Sequence, residues 1–209
     1  LSIGDNAFQG CTGVGLKTIS ISNSVSHVGT NAFYGCTDMD SLNIGSGVQY
    51  IGDSAFYGCE NVKYIFYNAQ NCTSALFDLS HTSPFANTNT NQLTTLIIGD
   101  SVKAISAFTF RNRISINNIT LPHGLTSIGN GAFLGCNSIQ MLVIPNSVSF
   151  IGNGAFAGCS GIDSLCISTG IITIGDSVFS GCSSILNVVV PDGVTSIGEK
   201  AFSGCTSLK

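Results

Sequence analysis

Tryptophan is absent from the 209-residue chain, and charged residues make up only 9% of it. So little charge beside 44% hydrophobic residues excludes the composition of a disordered segment. Seven Lys plus Arg stand against eleven Asp plus Glu, for a net charge of −4. The basic stripe that nucleic acids and anionic membranes require is therefore lacking, and neither is an expected partner. Long hydrophobic runs are lacking too. Mean hydropathy is positive, yet Ser, Thr, Asn or Gly interrupts the apolar residues every few positions, far short of the roughly 20 needed to span a bilayer. No transmembrane helix and no signal peptide are read. The chain opens and closes in the middle of a repeat, so it is expected to be an uncapped fragment of a longer protein.

What is present is periodicity. One coil runs Ile139, Leu142, Ile144, Val148, Ile151, Ala155, Phe156, Cys159, and the same residue classes return at Ile162 to Cys182 and Ile185 to Cys205. The earlier stretches Leu16 to Cys36, Met39 to Cys59 and Ile116 to Cys136 match as well. Nine phenylalanines mark the coils, at positions 8, 33, 56, 85, 110, 133, 156, 179 and 202. One solenoid over residues 1–209, with an irregular insertion at 68–91, is the expected organisation.

Apolar residues two apart, such as Leu142 and Ile144 or Val188 and Val190, predict one short strand per coil with one face buried. Parallel strands stack at about 4.8 Å, so nine coils would make a sheet on the order of 40 Å long. Gly29, Gly52, Gly129, Gly152, Gly175 and Gly198 are expected at φ > 0, where the chain turns. The AFxGC segment that follows, as in Ala155 to Cys159, has room for a helical or 3₁₀ turn only. Pro122, Pro145 and Pro191 sit just past the strands and stop them. The expected class is thus α/β but β-rich, with about nine 23-residue coils.

In the pattern LxxIxIPxxVxxIGxxAFxGC the chain resembles the BspA-like leucine-rich repeat family over essentially its whole length. The resemblance implies a right-handed leucine-rich-repeat solenoid, placed extracellularly on a bacterial or protozoan cell surface. It also implies adhesion to host proteins, host cells or other microbes. Three departures stand out: an insertion after Ile65, no Cys in the coils of Phe85 and Phe110, and neither cap nor anchor.

Cys11, Cys36, Cys59, Cys136, Cys159, Cys182 and Cys205 share one repeat position, three after the Phe. A zinc site needs four ligands converging on a point, whereas one column supplies parallel side chains, without a CxxC or a nearby His pair. Disulfides between column neighbours would need favourable Cβ directions as well as Cα distance. The column is therefore read as small buried thiols, with no metal and no cofactor. Arg113 takes the Cys position in the Phe110 coil and is expected to bulge or reach outward, since an unpaired buried guanidinium is costly. Cys166, between Leu165 and Ile167, is expected to face outward and be the accessible thiol.

No catalytic residues are assigned, and the chain is read as a non-enzyme. Cys72, Asp78, Ser80, His81 and Ser83 in the insertion have the residue types of a triad, but their spacing supports no nucleophile–base–orienter geometry. His27 and His123 are read as solvated at turns. Binding is sought instead at the outward strand positions. One outward column is Thr18, Ser41, Tyr64, Thr95, Asn118, Met141, Ser164, Asn187, and the other is Ser20, Asn43, Phe66, Ile97, Thr120, Val143, Cys166, Val189. Tyr64, Phe66, Ile97, Met141, Val143 and Val189 are the candidate contact residues for a protein partner, with host extracellular-matrix or cell-surface proteins as the expected class. Strand propensity alone would also place Val, Ile and Phe there. A structural stalk associating end to end is the alternative. A carbohydrate-binding or polysaccharide-acting solenoid is less supported, with Tyr64 and Phe66 as the sole stacking platforms in the outward columns and no Trp.

Overall fold

Strands of two to four residues have no stability alone, so each coil must pair with the next. A computed structural model describes residues 1–13, 16–70, 72 and 94–209. They fall into two units, Leu1–Val102 and Lys103–Lys209.

In the first unit the strands are β1 (Ser2–Ile3), β2 (Thr18–Ile21), β3 (His27–Val28), β4 (Ser41–Ile44), β5 (Tyr50–Ile51), β6 (Tyr64–Tyr67) and β7 (Thr95–Ile98). The longer strands β2, β4, β6 and β7 form the main parallel sheet, and β1, β3 and β5 a second one. The main-sheet register aligns Ile19, Leu42, Ile65 and Leu96 in one column and Ile21, Ile44, Tyr67 and Ile98 in another. All eight are buried. A one-residue slip would turn both columns to solvent, so the hydrophobic pattern fixes the register.

The second unit contains β8 (Ala104–Ile105), β9 (Asn118–Thr120), β10 (Ser127–Ile128), β11 (Met141–Val143), β12 (Phe150–Ile151), β13 (Ser164–Cys166), β14 (Thr173–Ile174) and β15 (Ser196–Ile197). Parallel pairs join β11 to β13, β8 to β10 to β12, and β14 to β15. The strand expected at Val188 and Val190 does not form. Residues 187–190 carry no strand and Val190 is 40% exposed.

The architecture is a parallel β-solenoid of about seven turns with about 23 residues each. The nine expected from the phenylalanines include incomplete coils and the Phe85 coil, which lies outside the described residues, as does most of the 68–91 insertion.

The expected helical or 3₁₀ turn is replaced by tight turns, and no helix occurs among the described residues. The hydrogen bonds explain why. Ala155, Ala157 and Cys159 donate to Gly152, Gly154 and Phe156, three residues back, while the intervening Gly154, Phe156 and Gly158 donate to Asp176, Val178 and Ser180 of the next coil. Every second N–H serves the stack, so a continuous i→i−3 ladder cannot form. The first and last of these turns have a left-handed residue at their third position, as type II turns require. That residue is Asn6, Asn31 or Ser54 in the first unit, Phe108, Gly131, Gly154, Ser177 or Lys200 in the second, and again the Gly before each Cys.

Gly29, Gly52, Gly129, Gly152, Gly175 and Gly198 are thus not the φ > 0 positions. They serve close approach instead: a Cβ on Gly129 would lie 2.5 Å from the backbone nitrogen of Ala107 in the preceding coil.

The phenylalanines stack between coils, at 5.0 and 5.3 Å for Phe8–Phe33–Phe56 and 5.3 to 5.8 Å between successive members of Phe110–Phe133–Phe156–Phe179–Phe202. Just outside that core a polar ladder closes the backbone. Asn130 Oδ1 accepts from the Asn153 N–H, Asn153 Oδ1 from Asp176, and Asp176 Oδ1 from Glu199. Amides that would otherwise be left open at the turns are satisfied this way.

Candidate functional site on the outward strand faces

The cysteine column builds structure. Cys36 Sγ donates to Phe8 O, Cys59 to Phe33 O, Cys136 to Phe110 O, Cys159 to Phe133 O, Cys182 to Phe156 O and Cys205 to Phe179 O, all at 3.0 to 3.3 Å. Burial pushes the Cys59, Cys136 and Cys182 thiols up to about 12, and those of Cys36, Cys159 and Cys205 upward as well. Such protonated donors are poor nucleophiles and poor metal ligands. Among the described residues no three His, Cys, Asp or Glu side chains converge as a metal-binding group.

Arg113 corrects an expectation. It does not reach outward: it is 4% exposed in the Cys position, and burial lowers its guanidinium to about 10. Asn112 takes the left-handed position that Gly fills in other coils, so the turn keeps its path and directs the longer side chain inward.

Of the triad-like set in the insertion, Cys72 alone is described; Asp78, Ser80, His81 and Ser83 lie outside the described residues. Cys72 is buried beside Tyr67, whose phenol is pushed well up by burial. His27 is exposed and stacks on Tyr50 at 4.4 Å, and His123 is exposed at a turn.

The outward strand positions lie as follows. In the first unit Ser20, Asn43, Phe66 and Ile97 are aligned across β2, β4, β6 and β7, and Thr18, Ser41, Tyr64 and Thr95 beside them. Tyr64, Phe66 and Ile97 are half-buried. At the polar end Asn43 Nδ2 donates to Ser20 Oγ, and Asp40 lies between Lys17 and Lys63 at 3.6 and 4.0 Å. In the second unit Met141 pairs with Ser164 and Val143 with Cys166. Met141 is 64% exposed, Val143 54% and Val189 80%, and Cys166 is exposed with them.

Sequence reasoning overlooked a second set. The first residue of the two-residue strands is also turned away from the core, and its aromatic members are His27, exposed, and Tyr50, half-buried, in the first unit and Phe150, 57% exposed, in the second. Tyr34 and Tyr57 stack at 4.9 Å on the turns. All five tyrosines of the chain fall between positions 34 and 67, a clustering visible in the sequence that the search of the main strand passed over.

The model of the BspA-type leucine-rich repeat region matches residues 1–82 and 80–209, in six copies. The chain belongs to the BspA-type leucine-rich repeat family. It is similar to the leucine-rich repeat protein TpLRR of T. pallidum, with 26% identity and a TM-score of 0.62 over 100% of this chain and 82% of that one. A leucine-rich repeat protein from Bacteroides ovatus is also similar, at 26% identity and a TM-score of 0.63, covering 99% of this chain. Against that protein the chain spans just over half the length, 56%. No curated protein matches the chain. BspA-type leucine-rich repeats are in general protein-interaction modules, and among the described residues no helix is long and apolar enough to cross a membrane.

Proposed function

We propose that this BspA-type chain is a non-catalytic protein-binding module of a cell surface. Its partner is a host extracellular-matrix or cell-surface protein, held by outward residues of β6 and β7 in the first unit and of β11 and the segment at Val189 in the second. The observation that carries the proposal is the exposure of Met141 and Val143 on β11, with Cys166 exposed in register beside Val143 and Val189 exposed farther along the same unit. Strand propensity favours Val at such positions but not Met, and contiguous exposed apolar surface usually marks an interface. Tyr64 and Phe66 in the first unit add amphipathic aromatic area, with Ile97 in register beside Phe66. A stacking platform for sugars is less favoured, because the His27–Tyr50 and Tyr34–Tyr57 pairs turn ring faces toward each other.

The test is saturable binding of the recombinant chain to a panel of matrix proteins and epithelial cells, run beside Phe66→Ser and Val143→Ser. Each variant is first shown to be folded by its urea midpoint. Loss of binding in a folded variant supports the reading and locates the surface. Undiminished binding in both variants refutes the surface, and no binding by the parent chain refutes the function.

A further inference from the structure

The chain contains two methionines, and they are opposites. Met39 is fully buried, whereas Met141 is 64% exposed on the outward side of β11. The cysteines divide similarly, since of the nine only Cys166 is exposed. Met141 aligns with Ser164, and Val143 with Cys166. Met141 and Cys166 are therefore diagonal neighbours on one face, one strand apart and two residues along. Every exposed sulfur side chain among the described residues thus stands on this strand pair.

We infer that Met141 and Cys166 form an oxidisable pair that sets the polarity of this face, with peroxides as the chemical class that acts on it. The Met141 thioether attacks the peroxide: the O–O bond breaks, an S–O bond forms and water leaves, giving the sulfoxide. The Cys166 thiol is oxidised by a second peroxide to a sulfenic acid with loss of water. The other cysteines are wholly or half buried, and none stands beside Cys166 on its strand pair. No cysteine of the same chain is placed to resolve the sulfenic acid, so under limiting peroxide a thiol from outside the chain condenses with it, forming the S–S bond and releasing water. Both products replace apolar surface with polar groups beside Val143. The effect on partner binding rests on the function proposed above, whereas the change in the face does not.

The experiment uses the full chain and needs no partner. Retention on octyl-agarose is measured before and after hydrogen peroxide, with peptide mass spectrometry to locate the added oxygen, and repeated on Met141→Leu/Cys166→Ser. Expected are oxygen on Met141 and Cys166 ahead of Met39, an unchanged urea midpoint and lower retention of the parent chain. Retention of the double variant should be the same before and after treatment. Oxidation of Met39 first, or an equal fall in retention of the double variant, overturns the inference. For any protein that binds the reduced chain, affinity after oxidation should drop about tenfold, the scale of one lost apolar contact. If no protein binds the reduced chain, the proposed function fails, and octyl-agarose retention still decides the sulfur pair.

Discussion

The Sγ of Cys159 lies 3.2 Å from the carbonyl oxygen of Phe133, one coil upstream. That oxygen also accepts the backbone N–H of Cys136 at 3.1 Å. Each such carbonyl therefore closes a turn in its own coil and holds the thiol of the next. A thiol can donate only while protonated, so the repeat links its packing to a proton.

This linkage predicts how stability depends on pH. Burial raises the Cys59, Cys136 and Cys182 thiols from 9.0 to about 12. A group with a raised folded pKa contributes its full stability below the unfolded value and loses it as pH rises through the folded one. The unfolding free energy from urea titration should therefore hold as pH rises toward 9 and fall between 9 and 12, by on the order of 1.4 kcal/mol per pH unit for each fully buried thiol. Replacing Cys136 and Cys182 by Ala should flatten that slope, and an unchanged slope would count against the linkage.

Thiol accessibility gives a second prediction. At neutral pH a maleimide should modify Cys166 within the dead time of manual mixing, while Cys36, Cys59, Cys136, Cys159 and Cys182 react only at the rate of local opening. Mass spectrometry of peptides quenched at early times checks this. Modification of a buried column thiol as fast as Cys166 would mean that the column opens readily.

Stacking predicts a gradient of cost along the phenylalanine column. Phe156 is fully buried between Phe133 and Phe179, so Phe156→Ala should cost about 3–5 kcal/mol in urea unfolding. Phe8, 42% exposed with a ring neighbour on one side, should cost less than half as much. Equal costs would show that the coils do not behave as nearest-neighbour units.

The columns were legible from sequence because a side chain that faces its own counterpart 23 residues away must obey the same constraint in every coil. Leu42 and Ile65, or Cys136 and Cys159, are such pairs. The turn geometry was not legible. Period and composition fit a 3₁₀ turn at AFxGC, and only the diversion of alternate N–H groups to the next coil rules it out. The left-handed residue escaped notice because Asn6, Ser54, Gly154 and Lys200 share a conformation and no chemistry. Burial cost alone points Arg113 outward, whereas the backbone path that Asn112 preserves carries it inward. At the candidate site, outward-facing positions followed from strand alternation, but how far each is covered did not. Phe66 and Ile97 are half-buried, whereas Met141 and Val143 are open.

Two glycines of the second unit, Gly129 and Gly154, provide a test of what each repeat position demands. A Cβ on Gly129 would meet Ala107 N at 2.5 Å and Ser106 C at 2.8 Å, both backbone atoms that cannot move without shifting a whole coil. Gly129→Ala should therefore destabilise by about 1–3 kcal/mol or more, as overpacking does in a rigid interior. Gly154 has φ +63 and no neighbour nearer than the Ala157 Cβ at 3.8 Å. Asn already occupies the same turn position at Asn6 and Asn31, and Asn tolerates the left-handed region better than most residues. Gly154→Asn should change stability by less than about 0.5 kcal/mol, because the small conformational strain is offset by a less flexible unfolded chain. Urea midpoints of the two variants decide the matter. A large loss at Gly154 with a small one at Gly129 would reverse the turn and contact roles of the two positions.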